Sequence, residues 1–316
     1  MKYCCSARPT AGPFDFHTHT CYSDGAPDQT PRTVCRLAKA EGGLAHLALT
    51  DHDWMLPRAE REALMDEFGL DVIPACELSA ELVLDGRRHI IHIGGHWLSE
   101  EDPWLQEILR HNQAQDHESY VKEMLRLCLR CGLDPSREGV ERSYQMILER
   151  NPHSHHLGKQ AVTALLCETG CVSSPQEARE KYLSAHGERL AYVPGEAFFH
   201  FASFDAVLEA VNRTGLSTLN HLYYYRLERA EEDALVALFH RLGGQALETL
   251  YTGYSPAQQA RLAGYCQAFG LLPNCGSDRH TGSQSFLAGP PALFQALRDR
   301  CLTLHGAQED SPAQRS

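Results

Sequence analysis

Apolar residues along this chain gather in short runs that end abruptly in polar residues. Seven such runs stand out, at residues 14–17, 44–50, 72–76, 90–94, 216–220, 246–249 and 271–275. Each is too short for a buried helix and rich enough in β-branched, aromatic or leucine side chains for a buried strand. Between most of them lie stretches with helical periodicity, such as 32–41, 204–212 and 256–269. Strand, helix, strand alternation of this kind predicts parallel pairing with right-handed crossovers.

The rhythm fails once. Residues 99–191 hold charged helical patterns and no convincing strand, so they predict a helical insertion over the face where barrel loops carry function. The expected division is a discontinuous barrel at 12–98 and 192–303, the inserted helical subdomain at 99–191, and a polar, disordered tail at 304–316.

Composition narrows the chemistry. The 316 residues are 43% hydrophobic and 22% charged, as expected of a globular protein. The 29 Lys and Arg against 41 Asp and Glu give a net charge of −12, which argues against binding long duplex nucleic acid. An anionic substrate then needs metal ions to reverse the local field, and the 18 histidines supply ligands for them. The 12 cysteines form no zinc-ribbon or disulfide framework, and Cys128 and Cys131 are a lone CxxC pair. The N-terminus lacks the apolar core of a signal peptide and no run is long enough to cross a membrane, so the expected address is cytoplasmic.

The polar residues at the run ends carry the candidate chemistry. His17 and His19 are two apart on the first run and therefore share a face, with Asp24 on the turn beyond. The second run ends in Asp51-His52-Asp53; His46, embedded in that run, is assigned to packing, while Asp51 and Asp53 are either orienting groups or helix caps. Glu77 ends the third run, His92 interrupts the fourth, His221 follows the fifth, and Asp278 and His280 follow the tight turn at Gly276. A nitrogen and oxygen donor set of this kind suits Zn, Mn or Fe. His153, His155 and His156 cluster in the insertion and read first as a solvated loop or helix start.

In their order, the motifs FDFHTH, YSDG, ALTDHD, CELS, HIIHIGG, NHL and GSDRH resemble those of the PHP (polymerase and histidinol phosphatase) family. The long insertion is similar to that of the branch containing 3′,5′-nucleoside bisphosphate phosphatases and 5′-to-3′ exoribonucleases. The resemblance implies an α/β fold, a distorted seven-stranded TIM-like β/α barrel, with two to three divalent ions. It implies His17, His19, Glu77 and Asp278 around one ion; Glu77, His92 and His221 around a second; and Asp24, His52 and His280 around a third. Glu77, Asp24, His52 and Arg279 are then the expected catalytic groups, with Lys159 and Arg279 as contacts for substrate phosphate. The implied substrate is a small phosphorylated nucleotide or the 5′ end of a short RNA. Histidinol phosphate is the alternative, and a non-catalytic accessory module is a reading from a different class.

Overall fold

The computed structural model describes residues 12–185 and 187–306. Its strands are β1 (Phe14–Thr18), β2 (His46–Leu49), β3 (Asp71–Ile73), β4 (Ala75–Leu84), β5 (Arg87–His96), β6 (Leu216–Leu219), β7 (Ala246–Tyr251) and β8 (Leu272–Gly276). Helices α1 (Pro31–Ala40) and α2 (Arg58–Phe68) connect the first three strands. After β5 come α3 (Pro103–Gln113), α4 (His117–Leu127), α5 (Arg137–Arg150), α6 (Lys159–Glu168), α7 (Pro175–Ala178) and α8 (Phe204–Asn212). Helices α9 (Arg229–Arg241), α10 (Pro256–Phe269) and α11 (Pro291–Gly306) follow β6, β7 and β8. Two helix starts show ordinary capping chemistry: the Thr30 side chain accepts from Thr33 N ahead of Pro31, and Ser255 forms a capping box with Gln258.

The distorted seven-stranded TIM-like barrel expected from the sequence is not what forms. The strands make two sheets, a parallel β1-β2-β3 sheet and a mixed β4-β5-β6-β7-β8 sheet. Two local features divide them. Pro74, with no N–H to give a ladder, separates β3 from β4, so the single run expected at 72–76 is shared between the sheets. Asp85 and Gly86 both have positive φ (46° and 75°) and form the two-residue turn that pairs Leu84 with Arg87, making β4 and β5 an antiparallel hairpin. The chain therefore enters β6 antiparallel to β5 and resumes parallel pairing only across β6, β7 and β8.

The sheets nevertheless meet along two seams where the candidate residues lie. An isolated bridge joins His52 to Glu77, and another joins Thr18 to Arg279, with His19 N donating to Arg279 O at 2.9 Å and Asp278 N to His17 O at 2.8 Å. These contacts draw the ends of β1, β2, β4 and β8 together.

Apolar packing divides the helical stretch in two. Leu105 and Leu109 of α3 join the main core under the five-stranded sheet, beside Val207, Leu208 and Val211 of α8. A second core, from Tyr120 through Val162 and Leu166 to Phe199 and Phe201, belongs to the segment beginning with α4. Among the described residues of 99–191 there is no strand. Residues 304–306 end α11, and the rest of the expected tail lies outside the described residues. No helix among the described residues is long and apolar enough to cross a membrane.

Candidate metal centre

The nine residues singled out as ligands come together around one buried carboxylate. Glu77 Oε2 faces His17 Nε2 (3.2 Å), His19 Nε2 (3.3 Å) and His52 Nδ1 (3.3 Å). Glu77 Oε1 faces His221 Nε2 (3.0 Å) and His92 Nδ1 (3.5 Å), and accepts from Asn220 Nδ2 (2.8 Å). Asp278 Oδ1 lies 3.4 Å from His17 Nε2 and 3.2 Å from His19 Nε2. Asp24 closes the far side, 3.1 Å from His280 Nε2 and 3.5 Å from His19 Nδ1, with His52 Nε2 at 3.8 Å. Among the described residues, three overlapping groups have donor atoms close enough to share an ion: His19, Asp24, His52 and His280; His17, His19 and Glu77; and His52, Glu77 and His92.

Local structure explains the convergence. His17 and His19 project from one face where β1 ends, and Gly94 is the register partner of Glu77, so His92, two residues earlier on β5, faces the same way. His92 thus reaches the cluster from the middle of a hairpin strand rather than from a strand end. Asp53, His221 and Asp278 hold positive φ (51°, 24° and 53°), a conformation that costs free energy at non-glycine residues and that the surrounding contacts sustain.

Protonation within the cluster is strongly coupled. Burial alone would push the Glu77 carboxyl up, but the His17, His92 and His52 imidazoles hold it well below the usual carboxylate range. Asp24 and Asp278 are likewise held low against burial, in both cases with His280 as the foremost opposing charge. Burial would pull His17 down, yet Glu77, Glu248 and Asp278 raise it well above its ordinary value. His52 goes the other way: burial outweighs Asp24 and Glu77 and lowers it to about 3.

The cluster leaves inward-facing atoms without hydrogen-bond partners. His17 Nε2, His19 Nε2, His52 Nδ1 and Glu77 Oε2 are all buried and all lack one. They face one another across 3.2–3.3 Å without hydrogen-bond geometry. Orphaned buried polar atoms are costly, and a divalent cation among them would satisfy all four. The donor set of imidazoles and carboxylates fits such an ion.

A layer of orienting groups surrounds the ligands. Glu248, which the sequence reading passed over, accepts from His17 Nδ1 at 2.8 Å and from His221 N at 2.7 Å. With a proton held on Nδ1 by Glu248, the neutral His17 ring would present its Nε2 lone pair to an ion in the cluster. Glycine is required at position 276, because a Cβ there would lie 2.2 Å from Glu248 Oε1 and 2.3 Å from His17 Cβ. Asp51 accepts from Thr20 N, Thr20 Oγ1 and Ser23 Oγ, which braces the turn carrying Asp24. Asp53 accepts from Ser79 N and Asn112 Nδ2, tying α3 to the loop that carries His52. Neither carboxylate caps a helix; both orient. Tyr251 OH donates to Asp278 Oδ2 at 2.8 Å. His46 packs as expected, stacked 3.6 Å from Phe294 and 2.9 Å from Asp71 Oδ2.

One of the two expected substrate contacts falls elsewhere. Arg279 is a correction: it is 1% exposed, and its guanidinium donates to Gln29 Oε1 (2.7 Å) and Gln284 O (2.9 Å) over the Phe286 ring, away from the cluster. Lys159 starts α6 with its ammonium 4.9 Å from the Tyr192 ring centre, and burial lowers its pKa. Conversely, the loop of His153, His155 and His156 is no free surface loop. His155 N donates to Tyr22 O (2.7 Å) and its ring stacks 3.7 Å from Trp54; the His156 ring stacks 4.7 Å from His52. The inserted segment thus sits directly against the cluster.

Comparisons with known proteins agree with this geometry. The chain is 27% identical over 270 residues to the 5′-3′ exoribonuclease Rnm of Escherichia coli (strain K12), covering 84% of this chain and 85% of that one. It is 27% identical over 271 residues to a phosphoribosyl 1,2-cyclic phosphate 1,2-diphosphodiesterase of Eggerthella lenta, covering 84% and 93%. Its fold matches a sulfate-bound, metal-free amidohydrolase of Chromobacterium violaceum (TM-score 0.75, 24% identity, covering 91% of this chain and 96% of that one). It also matches a Bifidobacterium adolescentis protein assigned as a metal-dependent phosphoesterase (TM-score 0.72, 22% identity, covering 93% and 98%). No family model matches the chain. The resemblance to PHP-family phosphoesterases read from the motifs is upheld by these relatives.

Proposed function

We propose that this chain, a relative of exoribonucleases and a cyclic phosphodiesterase, is a metal-dependent phosphoesterase acting on a small phosphorylated nucleotide or the 5′ end of a short RNA. The observation that carries the reading is the set of orphaned donor atoms of His17, His19, His52 and Glu77 facing one another in the buried cluster. Divalent ions of the Mn, Zn or Fe type would supply Lewis acidity toward phosphoryl oxygens and an activated water.

The residues divide that work as follows. His17, His19, Glu77 and Asp278 would hold one ion, His92 and His221 together with Glu77 a second, and Asp24, His52 and His280 a third. Support comes from the distances to both Glu77 oxygens and from the grouping of His19, Asp24, His52 and His280. Glu248 fixes the His17 tautomer, and Tyr251 fixes the Asp278 carboxylate. Segment 99–191 is assigned the role of covering the site, because His155 and His156 stack on Trp54 and His52.

A panel with added Mn tests the reading. It contains adenosine 3′,5′-bisphosphate, a short 5′-phosphorylated RNA, phosphoribosyl 1,2-cyclic phosphate and histidinol phosphate. Release of phosphate or nucleotide from either of the first two is the expected result. Turnover of histidinol phosphate alone would overturn the substrate assignment, and turnover of none would overturn the activity.

A further inference from the structure

Tyr224 is a large aromatic side chain left 64% exposed immediately beside the cluster. It lies on the short 3-10 turn Leu222–Tyr225 that follows the strained His221, and Tyr224 N donates to His221 O at 2.7 Å. The turn is therefore anchored by a ligand of the cluster. The Tyr224 ring centre is 5.2 Å from that of His221 and 6.2 Å from that of Tyr225. Its neighbour Tyr225 is committed to structure, since Tyr225 OH accepts from His92 N at 2.8 Å. Tyr224 carries no such duty in the cluster's framework.

Beside the cluster the chain thus offers an accessible aromatic face in Tyr224. The anionic groups of the cluster itself pair with histidines, and Arg279 points away. Recognition beyond the phosphate therefore falls to aromatic surface rather than to a guanidinium clamp.

We propose that Tyr224 is the specificity-determining residue of the site, a stacking platform for a nucleobase one ribose away from the phosphate held at the cluster. The proposal rests on the phosphoesterase reading for the position of the phosphate. Every nucleobase offers a π face, so a stacking platform selects nucleotides over aliphatic phosphates while tolerating the base identity.

The test measures binding of AMP and of ribose 5-phosphate to the Mn-loaded protein by calorimetry, in the wild type, Tyr224→Ala and Tyr224→Phe. The wild type is expected to prefer AMP, Tyr224→Ala to weaken AMP about tenfold with ribose 5-phosphate unchanged, and Tyr224→Phe to restore AMP binding. Equal binding of the two ligands to the wild type, no binding of either, an unaffected AMP affinity in Tyr224→Ala, or equal weakening of both ligands would each overturn the proposal. Phosphate release from adenosine 3′,5′-bisphosphate in the same preparations separates the two claims. Selective AMP binding that depends on Tyr224 without any release supports the platform and refutes the phosphoesterase reading.

Discussion

Replacing Glu248 by Gln probes the cluster without removing a ligand. The carboxylate uses both oxygens, one for His17 Nδ1 at 2.8 Å and one for His221 N at 2.7 Å. The amide keeps only one acceptor, so its NH2 must face one of two buried donors. A buried donor left unpaired costs about 1–3 kcal/mol. If the loss falls on His17, its proton is no longer fixed on Nδ1 and the Nε2 lone pair is less available. Loss of an orienting partner of this kind typically lowers metal affinity about 10–100-fold, equivalent to about 1.4–2.8 kcal/mol. The assay is phosphate release from adenosine 3′,5′-bisphosphate against Mn concentration, with calorimetric Mn binding in parallel. Glu248→Gln should need about 10–100-fold more Mn for half-maximal rate and regain most of the wild-type rate at saturation. An unchanged Mn dependence in a variant that merely melts earlier would refute the reasoning, because it would leave Glu248 with a packing role only.

Two further outcomes follow from burial. Arg279→Met should lower stability by about 2–4 kcal/mol through lost charge-assisted hydrogen bonds while leaving KM for the phosphate ester unchanged; a selective rise in KM would restore Arg279 as a substrate contact. His96, 1% exposed with Nε2 donating to Phe16 O at 3.0 Å, is lowered by burial from 6.5 to about 4. The unfolded chain therefore binds the extra proton between those values, so this stabilisation is complete above pH 6.5 and is lost as pH falls toward 4. The full effect is about 3 kcal/mol, and a wild-type minus His96→Gln difference in denaturant stability that stays flat from pH 7 to about 4 would contradict it.

Much of the cluster was legible because its signals are local. The His17 and His19 spacing, the Asp51-His52-Asp53 triplet, Glu77 at a run end and the turn before Asp278 each follow from strand periodicity. Glu248 was not legible: it lies inside the apolar run of β7, and only the close approach of Gly276 and His17 gives it a role. The His155 and Trp54 stack depends on tertiary contact in the same way. The fold was misread at two places that did carry signals. Pro74 marks the end of β3, and Asp85-Gly86 is a two-residue hairpin signature whose antiparallel consequence excludes an all-parallel ring. The residues at the seams still converge, because the isolated bridges at His52 and Thr18 hold the strand ends together without a closed ladder.

The central claim, a metal cluster built on Glu77 that hydrolyses phosphate esters, is tested most directly by elemental analysis of Mn-reconstituted protein with phosphate release measured on the same samples. The wild type should retain more than one tightly bound divalent ion per chain and turn over substrate, and Glu77→Ala should lose bound metal and turnover together. A folded wild type that retains no Mn, Zn or Fe, or a Glu77→Ala variant that keeps both its metal and its rate, would contradict the account.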